Sequence, residues 1–155
     1  IRQLGIPVPA NSNVVPSYVR TNGETFGQSL FEPPNVAGWP GYRQWINTTS
    51  LLARNQYTDS IVTGRTLTNQ NIGFKVNPIT FAQMFPLPNN AIVLVNDIAA
   101  HLIPMSVSNA RRDMLLETLL QGIALYDWNI ADPQAPTRIE GLLKVIFRMA
   151  EYQLG

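Results

Sequence analysis

The sequence contains no cysteine. That excludes thiol catalysis, thiolate metal sites and redox switching, and it leaves the compartment open, because a cysteine-free chain survives in reducing and oxidising surroundings alike. Charge is also scarce: Asp, Glu, Lys and Arg make up 14% of the 155 residues, against roughly 25% in an average soluble domain. Eleven basic and ten acidic residues leave a net charge of +1, and no basic run exceeds the pair Arg111-Arg112. A surface without a basic patch has no footprint for nucleic acid or anionic lipid, so neither is an expected partner. No apolar run approaches the ~18 residues of a membrane-spanning helix, which argues against membrane insertion. Only one histidine is present, His101. A catalytic triad or an imidazole metal centre would have to use it alone, with no sequence-adjacent nucleophile or second ligand.

With so little charge, the surface must be dressed with Asn, Gln, Ser and Thr, or partly covered by other chain. The opening "IRQLGIPVPANSNVV" has neither the basic and apolar regions of a signal peptide nor a clean helix start. The chain therefore reads as cut from something longer, with missing chain covering part of its surface.

What is present reads as helix. A chain of 155 residues fits one domain with a self-supporting core. Residues 1–13, with Pro7, Pro9, Asn11, Ser12 and Asn13, read as an irregular arm, and residues 14–155 as a single helical domain. Val15, Tyr18, Val19, Phe26 and Leu30 fall near helical spacing and predict a helix that stops near Phe31, before the Pro33-Pro34 pair. A second helix is predicted from the cap oxygens of Asn47, Thr48 and Thr49 to Gly64, burying Leu51, Leu52, Ala53, Tyr57, Ile61 and Val62. Residues 65–77 read as loop, with a short strand at Ile72–Val76 as the alternative. Asn77 followed by Pro78 starts a short helix that pairs Phe81 with Phe85. Asn89 or Asn90 caps a helix with Leu94, Val95, Ile98 and Leu102 on one face, and Ser106 or Ser108 starts the next, which Gly122 stops. A last helix from Thr137 to Leu154 carries Ile139, Leu142, Leu143, Ile146, Ala150 and Leu154 on its apolar side. The fold class is therefore all-α: an irregular bundle of five or six helices with a long Pro/Gly/Trp-rich loop.

That loop, "LFEPPNVAGWPGYRQW", is the most distinctive stretch. Trp39 and Trp45 lie six residues apart, with Arg43 between them and Arg54 one or two helical turns on. Indole faces with guanidinium groups beside them could stack a planar or sugar ring and hold an anionic or hydroxylated group, making a ligand-binding surface for glycan or cell-envelope material. The simpler reading is a structural clasp. Pro33 and Pro34 stiffen an extended segment, Gly38 and Gly41 permit turns, Trp39 and Trp45 plug the loop onto the helices, and Glu32 pairs with an arginine. A long loop without its own hydrogen-bond ladder needs such anchors. If both indoles are buried, Trp39→Ala and Trp45→Ala each cost ~3 kcal/mol.

The segment "GQSLFEPPNVAGWPGYRQWINTTSLLARNQY" resembles the C-terminal part of a bacterial family of unknown function, DUF1800. The matching positions are Gly27, Gln28, Pro33, Pro34, Gly38, Trp39, Trp45, Ile46, Asn47, Leu51, Leu52 and Arg54. The tail, "NARRDMLLETLL" and a final "RMAEYQLG", looks like the usual carboxyl end of such proteins. The resemblance implies a helical fold, a C-terminal fragment of a larger protein whose missing N-terminal part is its partner, and an extracytoplasmic address. It implies no activity, cofactor or catalytic residue.

The remaining constellations are weak. Asp113 and Glu117 lie one helical turn apart but next to Arg111 and Arg112, a pattern of surface ion pairs rather than a metal site. Asp127 and Asp132 lack the ligand spacing and glycine of a calcium loop. Asn47-Thr48-Thr49 is formally a glycosylation sequon but is better explained as a helix cap. No glycine-rich phosphate loop occurs, and nothing calls for a cofactor. A third possibility is one wall of an active site whose catalytic groups lie in the missing portion.

Overall fold

The computed structural model of the protein describes residues 4–6, 13–29, 31–33, 35–39 and 47–154. Among these residues the fold is all-α: seven α-helices and a single-turn 3-10 helix, with one isolated antiparallel bridge, Arg65 to Asn71, and no strand. The chain divides into two compact units, a first of Pro7–Lys75 and a second of Val76–Gly155 joined by Ile1–Ile6.

In the first unit, α1 (Val14–Thr25) packs on α2 (Thr48–Thr63). Helix α1 ends earlier than its apolar spacing suggested. Gly27 adopts φ 75°, the Gly27 amide donates to the Glu24 carbonyl at 3.0 Å, and the Gln28 amide donates to the Gly23 carbonyl at 2.8 Å. This paired closure of a left-handed glycine satisfies the free carbonyls locally, before Pro33 is reached. Helix α2 starts where its cap residues indicated. The Asn47 side chain accepts from the Ser50 amide at 2.8 Å, and the Ser50 hydroxyl accepts from the Asn47 amide at 3.0 Å, a reciprocal capping box. It ends at Gly64, φ 76°. The face it buries differs from the aliphatic one expected: Ser50, Thr58, Ser60, Ile61 and Val62 are buried, while Leu52 is 59% exposed. Residues 65–77 form turns and the single bridge, and the Ile72–Val76 strand does not form.

The second unit runs α3 (Pro78–Ala82), α4 (Ala91–Leu102), α5 (Asn109–Leu120), the 3-10 turn (Leu125–Asp127), α6 (Ala135–Arg148) and α7 (Ala150–Gln153). Helix α6 is its spine, packing on α3, α5 and α7, while α4 lies against α5. The core is aliphatic and aromatic: Phe81, Leu94, Ile98, Leu115, Leu119, Ile139, Leu142, Leu143, Ile146 and Phe147 are all but inaccessible to water. Of the alternative caps, Asn90 and Ser108 are the ones used, accepting from the Val93 and Arg111 amides. Asn89 is freed to accept from the Ile130 amide at 3.1 Å, tying the 3-10 loop to the start of α4. The loop is held a second time by Trp128, 5% exposed, whose Nε1 donates to the Pro88 carbonyl at 3.0 Å.

The final helix is broken where a continuous one was expected. Met149 turns extended (ψ 143°) between α6 and α7, and the buried Gln153 folds back to donate to the Phe147 carbonyl. That side-chain bond replaces helical pairing of a carbonyl at the end of α6.

Candidate functional site

The residues singled out in the Pro/Gly/Trp loop fall into two groups. Pro34, Gly41, Arg43 and Trp45 lie outside the described residues. Glu32, Pro33, Gly38, Trp39 and Arg54 are described. Among the described residues the Glu32 carboxylate accepts from the Ser29 hydroxyl at 2.9 Å, within a turn closed by the Glu32 amide on the Ser29 carbonyl, and Arg43, the arginine of the same loop, lies outside them. Pro33 is exposed. Gly38 has φ 87°, a conformation open to glycine, and closes a turn on Asn35, whose carbonyl accepts from the Gly38 amide and whose side chain accepts from the Ala37 amide. Trp39 is 38% exposed. Arg54 is half-buried on α2.

Helix α1 carries two different sides. One is apolar: Val15, Pro16, Val19 and Gly23, with Arg20 and Gln28 at the rim, line a groove of about 570 Å3. The other is polar and aromatic. Tyr18, Asn22 and Thr25 recur at i, i+4 and i+7 on α1, and Ala53, Gln56, Tyr57 and Ser60 recur at i, i+3, i+4 and i+7 on α2, so each set forms one helix face. The two faces meet across a cleft of about 310 Å3, whose far wall is Thr66–Thr68. The Tyr18 and Tyr57 rings stack with centroids 5.6 Å apart, flanked edge-on by Phe74 and Phe26 respectively. The Tyr18 hydroxyl is hydrogen-bonded to Ser60. The sequence reading took Tyr18 and Tyr57 as ordinary buried-face residues and missed the cleft. The available signal was that both helices replace aliphatic side chains with hydroxyls, amides and phenols at the same spacing.

A neighbouring cavity at the end of α2 is lined by Arg65 and Lys75 with Thr63, Asn71 and Phe74. Two cations there suit the carbonyl end of α2, where the helix dipole is negative, and Arg65 is already engaged with the Asn69 carbonyl and side-chain oxygen.

The other candidates are dispersed. His101 is exposed in the last turn of α4 and packs beside the Phe85 and Phe81 rings, with centroids 5.7 and 6.2 Å away. Asp113 and Glu117 are exposed on α5, while Arg111 pairs with Glu151 of α7 at 3.5 Å and Arg112 donates to the Val107 carbonyl. Asp127 closes the 3-10 turn, and Asp132 accepts from the Gln134 amide at 2.7 Å ahead of α6. Among the described residues no group of three or more His, Cys, Asp or Glu side chains is arranged to hold a metal, and no helix is long and apolar enough to cross a membrane.

A family model described as a protein of unknown function, DUF1800, matches residues 6–154. The chain belongs to the DUF1800 family. No curated protein and no solved structure matches it. In this DUF1800 chain several described positions of the family-like loop pattern shape the backbone. Gly27 and Gln28 terminate α1, Gly38 closes the Asn35 turn, and Asn47 caps α2. Leu51 is half-buried and Leu52 exposed.

Proposed function

We propose that this chain is a non-catalytic helical module that completes the fold of a larger, exported bacterial protein. The apolar side of α1 and the 31–39 stretch would seat against another part of the same polypeptide. The observation that carries this reading is the apolar surface of the first unit: Phe31 is 86% exposed and Val36 fully so, Val14 and Trp39 are also in contact with water, and so is Val19, which lines the α1 groove. Apolar area left in water forgoes roughly 25 cal/mol per Å2, and soluble monomers seldom keep large patches of it. The low charge of the chain supports the same reading, and the family resemblance supports the larger parent and the exported address.

Hydrogen exchange tests the proposal. Amides of Val14–Thr25 and 35–39 should be better protected in the full natural polypeptide than in the 155-residue chain alone. Identical protection in both, with the isolated chain monomeric and failing to bind a hydrophobic dye, would reject it.

The exposure of Trp39 favours a second reading, a ligand surface built from Trp39, Arg43, Trp45 and Arg54. Glycans titrated against tryptophan fluorescence should then change its intensity, and the change should vanish in Trp39→Ala.

A further inference from the structure

Helices α1 and α2 meet through polar and aromatic side chains where two packed helices would ordinarily present aliphatic ones, and the seam between them stays open. We propose that this cleft binds a neutral, polyhydroxylated ligand, a short uncharged sugar. The described lining of the cleft shares no residue with the apolar groove of α1 and does not include Trp39.

Four observations lead there. The volume, about 310 Å3, lies at the small end of the roughly 300–1,000 Å3 typical of small-molecule clefts. Among the described residues the lining holds no carboxylate, ammonium, guanidinium or imidazole, so none of them selects for a charged ligand. It is instead supplied with groups that both give and take hydrogen bonds, which is what a sugar hydroxyl demands, being donor and acceptor at once. Gln56 is half-buried and its amide makes no hydrogen bond with a described residue, leaving two N–H donors and a carbonyl available. Asn22 commits one N–H to the Tyr18 carbonyl and keeps its oxygen, and the Thr25 hydroxyl donates to the Thr21 carbonyl while its lone pairs stay open. Across the cleft Thr66 and Thr68 share one hydroxyl–hydroxyl bond at 3.0 Å, so one of the two has a proton to offer.

The aromatic wall narrows the ligand class further. Tyr18 and Tyr57 are stacked on each other and pinned by Phe74 and Phe26, so they form a fixed surface without an empty slot between two rings. A flat heteroaromatic ligand would need such a slot. A sugar needs a stiff, partly apolar wall on one side and amides and hydroxyls on the other, and a tyrosine ring supplies the wall at little entropic cost.

Isothermal titration of the 155-residue chain with maltotriose, cellotriose and N-acetylchitotriose, with trigalacturonate as the charged comparison, tests the site. At least one neutral trisaccharide should bind with a Kd on the order of 1 mM or tighter. Gln56→Leu should weaken it about tenfold, the worth of roughly one hydrogen bond, without changing the melting temperature, and Trp39→Ala should leave it unchanged. Should Gln56→Leu unfold the chain, Thr68→Val, on the exposed far wall, replaces it with the same expected direction. The proposal is overturned if no neutral sugar gives heat at about 10 mM, if trigalacturonate binds as well as the neutral sugars, or if Trp39→Ala abolishes binding that the cleft variants leave intact.

Discussion

Replacing Trp128 by alanine removes an indole that is 5% exposed and donates to the Pro88 carbonyl at 3.0 Å. Truncating a large buried aromatic costs about 3–5 kcal/mol, through lost transfer energy and the cavity left behind. For a domain of this size each kcal/mol moves Tm by about 2–4 °C, so the fall should be roughly 6–20 °C. Trp128→Phe separates the two contributions. It keeps most of the ring and leaves the half-buried Pro88 carbonyl without its donor, a loss of about 1–2 kcal/mol. Trp39 is the comparison: with 38% of it exposed, Trp39→Ala should cost about 2 kcal/mol, below the roughly 3–5 kcal/mol of a fully buried ring. Urea denaturation followed by far-ultraviolet circular dichroism measures all three, the shift in midpoint at constant slope giving the stability change. The reasoning fails if Trp39→Ala lowers the midpoint as much as Trp128→Ala does, or if Trp128→Phe equals Trp128→Ala.

Two left-handed positions should respond in opposite directions, and thermal unfolding measures both. At Gly64 (φ 76°) an added Cβ would stand 3.0 Å from the Lys75 Cβ, so Gly64→Ala combines a strained backbone with a clash and should cost about 1–2 kcal/mol. Gln121 already carries a side chain at φ 47°, so Gln121→Gly should gain about 0.5–1 kcal/mol, the relief of strain exceeding the added freedom of the unfolded chain. A stabilised Gly64→Ala or a destabilised Gln121→Gly would contradict the assignment.

The elements most legible in the sequence were those whose cause lies within a few residues. Asn47, Asn77 and Gly64 mark helix ends in the structure as they do in the sequence, because a cap bond joins a side chain to an amide three residues on, and a glycine stop depends on its own φ. Where two local signals competed, the nearer one acted: Gly27 closed α1 before Pro33 could. The aliphatic stripe of α6 was likewise readable, since its period reports which face is buried.

Other features had causes far away along the chain. The break at Met149 depends on Gln153 reaching back to Phe147, and the choice of Asn90 over Asn89 as cap depends on Ile130 occupying Asn89. The cleft required Tyr18 to meet Tyr57 and Ser60 across some forty residues, which only the packing of α1 on α2 could arrange. By itself, then, the sequence determined helix class and most helix boundaries, because those follow from hydrogen bonds and periodicities a few residues long. The tertiary structure alone decided the division into two units and which polar faces confront one another. Such pairings are chosen by burial and steric fit between segments whose separation leaves no periodic trace.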